Sequence, residues 1–118
     1  MNYWLNALHI LIQPQSILWL LISVVVGYIT GALPGMGAAL TISLLIPITY
    51  YMDSGLALII MGTIFTVCVY GGSLSAILLN VPGTAGSAAT CVDGYKMAQK
   101  GEALTALGIS TGASCLGS

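Results

Sequence analysis

The residues able to do chemistry in this chain gather between Tyr70 and Thr90, in the stretch YGGSLSAILLNVPGTAGSAAT. Ser73, Asn80, Thr84, Ser87 and Thr90 supply neutral oxygens there, around a Pro82-Gly83 pair. Oxygens of this kind coordinate small cations and donate to anions, but a hydroxyl becomes a nucleophile only beside a base. His9 lies on a distant segment and no carboxylate falls inside an apolar stretch, so Ser73 and Ser87 lack a base and an intramembrane enzyme is set aside.

The proline and glycines carry the rest of the argument. A helix broken in hydrocarbon leaves amides and carbonyls without partners, and it persists only where protein or a watery cavity receives them. A break at Pro82-Gly83 ends one helix in carbonyls near Asn80, suited to Na⁺, and starts another in amides beyond Thr84, suited to a carboxylate. The candidate substrate site is therefore Asn80, Pro82, Gly83, Thr84, Ser87 and Thr90, with Asn80, Ser73 and Thr90 as candidate ion ligands. A faint internal echo adds Gly35 and Gly37, because Pro34-Gly35-Met36-Gly37-Ala38-Ala39-Leu40-Thr41 resembles the run from Pro82 to Thr90 with one insertion. Paired interruptions in apolar segments point to transporter binding sites. The competing reading is a proline kink satisfied by neighbouring hydroxyls, in a structural or assembly subunit without a substrate site of its own.

Composition places these residues in a membrane. The chain of 118 residues is 58% hydrophobic and 4% charged, against about 25% charged in soluble domains. A net charge of −1 gives no footprint for nucleic acid. Cys68, Cys91 and Cys115 form no CxxC pair and read as small apolar filler, so neither a disulfide framework nor a metal site is expected. The N-terminus lacks a basic n-region, which argues against a cleaved signal peptide.

The elements that must position the site follow in order. Residues 1–13 read as an interfacial amphipathic helix with Tyr3 and Trp4 as headgroup anchors and His9 on its polar side. Residues 16–33 make a first membrane helix of about 27 Å, carrying Gly27-x-x-x-Gly31 and Gly31-x-x-x-Gly35 spacings that admit a close neighbour. Residues 38–52 form a short or kinked helix with Pro47 inside it, and Asp53-Ser54-Gly55 a polar turn. Residues 56–79 are long enough to span, although Gly71-Gly72 in their second half serves either close packing or the lining of the site. A broken helix over 80–92, a polar loop over 93–102 opened by an Asp93-Gly94 turn, and an apolar helix over 103–118 that stops short of a full span complete the reading. Both lysines, Lys96 and Lys100, lie in that loop and place it in the cytoplasm. The fold class expected is an all-α integral membrane protein with Pro/Gly-broken transmembrane helices, re-entrant segments among them.

The series from Gly31-Ala32-Leu33-Pro34-Gly35-Met36-Gly37, through Tyr70-Gly71-Gly72-Ser73 and Ala76-Ile77-Leu78-Leu79-Asn80-Val81-Pro82-Gly83, to Asp93-Gly94-Tyr95-Lys96-Met97-Ala98-Gln99-Lys100-Gly101 resembles the large membrane (TctA-type permease) subunit of the tripartite tricarboxylate transporters. The resemblance implies a secondary transporter of the bacterial inner membrane that imports citrate or another carboxylate on a Na⁺ or proton gradient. It implies a small membrane subunit and a periplasmic solute-binding protein as partners, the lipid bilayer as surroundings, and no cofactor beyond the coupling ion. Family members are several times longer, so the chain reads as an N-terminal fragment. With no arginine present and no lysine in an apolar segment, the substrate's charge has to be met by helix-end amides, co-bound cations or residues beyond this portion.

Overall fold

The computed structural model describes residues 2–117, all of its regular structure helical. The expected segments 1–13 and 103–118 each have one end residue, Met1 and Ser118, outside that range.

Helix α1, Asn2–Ile12, buries none of its residues and leaves Tyr3 and Trp4 exposed. Helix α2, Pro14–Ala32, starts at its proline, which needs no donor at N1 and arrives with a helical φ. Its buried residues are all small, namely Ser16, Ser23, Gly27 and Gly31, and they form a stripe on one side. Helix α4, Ser54–Leu79, presents Ile64, Cys68 and Gly71 to that stripe. A Cβ on Gly27 would lie 3.2 Å from the Ile64 Cα, and one on Gly31 would lie 2.8 Å from the Cys68 Cα. Both residue series climb together, so α2 and α4 run in the same direction with backbones in near contact. The close approach that the GxxxG spacing allows is thus realised within the chain.

Parallel neighbours need a return path, and helix α3, Ala38–Thr49, provides it. Pro34 and Gly35 open it with a tight turn in which the Met36 amide donates to the Leu33 carbonyl at 3.2 Å and Gly35 takes φ +86°. That is the type II pattern, with proline first and glycine where φ must be positive. Pro47 lies inside α3, which ends at Thr49 and not at residue 52. Asp53 then caps α4, its carboxylate accepting from the Gly55 amide at 3.2 Å. Among the described residues, α2 and α4 are the helices long and apolar enough to cross a membrane, and α3 and α6 are apolar but shorter.

Helix α4 passes through Gly71-Gly72 unbroken and stops at Asn80, whose φ of +57° turns the chain aside. A short 3-10 turn, Ala85–Ser87, leads into helix α5, Ala88–Gln99, and helix α6, Ala103–Gly117, follows. The expected polar loop over 93–102 is corrected here, since α5 runs through Asp93-Gly94 to Gln99. A glycine costs a helix only about 1 kcal/mol, and this one lets α5 press against Ile77, whose Cγ1 would lie 2.7 Å from a Cβ at Gly94. The turn belongs to Gly101 instead, with φ +82° and paired bonds from Gly101 N to Ala98 O at 3.1 Å and from Glu102 N to Met97 O at 3.0 Å. That pairing is a Schellman termination.

Candidate functional site

Beyond Asn80 the chain doubles back. A Cβ on Gly83 would collide with the Gly31 carbonyl oxygen and would lie 2.9 Å from the Gly72 Cα. One on Gly72 would lie 2.8 Å from the Thr84 Oγ1. Gly83 and Thr84 therefore sit at the level of Gly72, about two helical turns before α4 ends. The segment folds back along α4, admitted because Gly31, Gly72 and Gly83 have no side chains to keep three backbones apart.

Thr84 and Ser87 hold the restart together. The Thr84 amide donates to the Ser87 Oγ at 3.2 Å, and the Ser87 Oγ in turn donates to the Thr84 carbonyl at 2.8 Å. The Thr84 side chain completes a reciprocal capping box that fixes the first turn. Ser87 is buried by this role.

The two Pro/Gly interruptions meet. Gly35, Gly37, Ala38 and Ala39 on one side, and Pro82, Gly83, Thr84 and Ala85 on the other, line a cleft of about 480 Å³ with Val69 of α4. The first intrahelical bonds of α3 run from Leu40 and Thr41 to the Gly37 carbonyl at 3.1 and 3.2 Å. The amides of Ala38 and Ala39 precede them and have no partner within the helix. Ala85, first residue of the 3-10 turn, likewise opens a helical run at the opposite wall. Two helix starts, each with its partial positive charge, thus border one cleft.

The remaining sequence candidates lie elsewhere. Ser73 and Thr90 line a second cleft of about 530 Å³ between α4, α5 and α6, together with Asp93, Ser110 and Ser114. Asn80 is exposed at the helix terminus and Ser87 is engaged in the cap, and neither lines one of these two clefts. The structure thus brings Gly35, Gly37, Pro82, Gly83 and Thr84 together and separates them from Ser73 and Thr90. Sequence reading missed Asp93, assigned to a loop, and Ser110 and Ser114. The i,i+3 spacing of Thr90 and Asp93 and the i,i+4 spacing of Ser110 and Ser114 were the available signals, because each pair shares a helix face.

Comparison with known proteins adds a family and a relative. The family model described as "Tripartite tricarboxylate transporter TctA family" matches residues 17–118. The chain is 44% identical over 96 residues to an Agrobacterium vitis protein described as "Uncharacterized 52.8 kDa protein in TAR-I ttuC' 3'region". That alignment covers 81% of this chain and 19% of the relative, so the chain spans about a fifth of the relative's length. No solved structure matches the chain.

Proposed function

Because the chain belongs to the tripartite tricarboxylate transporter TctA family, we propose that it contributes one part of a membrane subunit that carries a tricarboxylate or related carboxylate, such as citrate, across the bacterial inner membrane. A Na⁺ or proton gradient drives the movement, a small membrane subunit and a periplasmic solute-binding protein complete the system, and the end of α5 that bears Lys96 and Lys100 faces the cytoplasm. The observation that carries the reading is the convergence of the α3 start and the Ala85 turn on the cleft between the two Pro/Gly breaks. Carboxylates bind at helix starts because unpaired amides and the helix dipole meet them there, without a cationic side chain. In this reading the amides of Ala38, Ala39 and Ala85 receive the substrate, Gly35, Gly37 and Pro82 line the walls without side chains that would fill the cleft, Gly83 holds the break against α2 and α4, and Thr84 orders the helix start through its cap with Ser87. Asn80 acts through the backbone, by directing the chain back toward the cleft.

The test is uptake of labelled citrate and a panel of other carboxylates by vesicles holding the complete permease, its small subunit and its binding protein. Wild type is compared with Ala85→Asp, whose charge suits the start of a helix and so spares the fold while repelling a carboxylate. Gradient-driven uptake in the wild type, lost in a variant that still inserts and assembles, is the expected result. Wild-type uptake by Ala85→Asp would remove the cleft from the transport path. Absence of uptake of every carboxylate by the wild type would favour an assembly subunit.

A further inference from the structure

We propose that the second cleft, between α4, α5 and α6, is a Na⁺ site built on the Asp93 carboxylate with the hydroxyls of Ser73, Thr90 and Ser110. The proposal rests on the transport reading above and assigns its coupling ion a place apart from the carboxylate cleft. Three helices contribute oxygens to one concavity: Ser73 from α4, Thr90 and Asp93 from α5, and Ser110 from α6. Apolar side chains, Ile77, Met97 and Ile109 among them, make up much of its wall. Neutral hydroxyls with a single carboxylate suit a hard monovalent cation, whose whole charge one carboxylate balances.

The state of Asp93 favours a cation over a structural role. Its carboxylate has no hydrogen-bond or ion-pair partner among the described residues. Lys96, one turn further along α5, does not line the cleft. The other aspartate, Asp53, is by contrast occupied as the cap of α4. Asp93 is exposed in the cleft, so its free carboxylate is open to an ion arriving from water, and the neighbouring hydroxyls replace part of that ion's water shell. The place also suits coupling. Ser73 neighbours Gly72 in sequence, the residue that meets Thr84 of the carboxylate cleft, so α4 carries one wall of each site. An ion that draws α5 and α6 onto α4 acts on the segment that forms the other cleft.

The experiment is direct ²²Na⁺ binding to the purified full-length subunit, without carboxylate, alongside carboxylate binding to the same preparations. Asp93→Asn and the double variant Ser73→Ala/Thr90→Ala are compared with wild type and with Asp53→Asn, a charge control at the opposite end of α4. The expected result is Na⁺ affinity lowered about tenfold or more in both cleft variants, unchanged in Asp53→Asn, with carboxylate binding retained at saturating substrate. Size-exclusion behaviour and thermal midpoint establish that each variant is folded. Equal Na⁺ affinity in wild type and both folded cleft variants overturns the assignment. Carboxylate binding by a wild type that takes up no Na⁺ also overturns it, while leaving the carboxylate cleft standing. Failure of the wild type to bind any carboxylate, with Na⁺ bound by the wild type and not by Asp93→Asn, counts against the transport reading and for the cation site.

Discussion

The carbonyl oxygen of Gly31 occupies the space in which a side chain on Gly83 would begin. Residues far apart in sequence, one in a membrane-length helix and one in a break, thereby share a contact between bare backbones. On this contact the fold-back after α4 rests.

Substitution at either glycine has to push backbones apart, because the opposing atoms are a carbonyl and Cα atoms and not flexible side-chain ends. Gly31→Ala and Gly83→Ala should each destabilise by about 1–3 kcal/mol, the usual cost of overpacking. Gly62→Ala should be neutral or stabilising by up to about 1 kcal/mol, since nothing lies within 4 Å of a Cβ there and the residue is inside a helix. Thermal unfolding of the full-length subunit in detergent checks all three; an intact midpoint in Gly83→Ala would contradict the packing described.

Thr84 closes the capping box with Ser87. Thr84→Ala should cost about 1 kcal/mol and lower carboxylate uptake, because the helix start it orders also lines the cleft. Thr84→Ser keeps the hydroxyl and should stay near wild type in both. Equal uptake by Thr84→Ala and wild type would separate the cap from transport.

Asn80 holds a left-handed conformation at the end of α4. Glycine adopts that conformation freely, whereas alanine pays about 1 kcal/mol or more. Asn80→Gly should preserve stability and uptake, and Asn80→Ala should lose stability. Should Asn80→Gly fold normally yet fail in uptake, the amide side chain itself contacts the substrate.

Ala39 and Ala85 are exposed residues on opposite walls of the carboxylate cleft. In a background lacking the native cysteines, a thiol introduced as Ala39→Cys should be alkylated more slowly when citrate or the transported carboxylate is present. The same thiol at Gly62, away from the cleft on α4, should react at one rate with or without substrate. Substrate-independent alkylation of Ala39→Cys would place the solute elsewhere.

Much of this arrangement was legible in the chain itself. Pro34-Gly35 acts locally, through a fixed φ, a missing donor and a positive φ at the glycine, and Asn80 does so through its left-handed conformation just before Pro82, so the ends of α2 and α4 follow from the residues at those positions. The near absence of charge between Met1 and Met52, and again between Ser54 and Val92, marked the membrane for the same local reason. What tertiary structure alone decided is which small residues face one another. Gly71-Gly72 reads the same in sequence whether it packs or lines a site, and only the position of Tyr28, Gly31 and Thr84 makes it a packing surface. Asp93-Gly94 has the composition of a turn, and the contact with Ile77 made it part of α5. That contact brings Asp93 to Ser73 and Ser110 and separates them from Thr84, because burial against a distant helix outweighs a local preference worth about 1 kcal/mol.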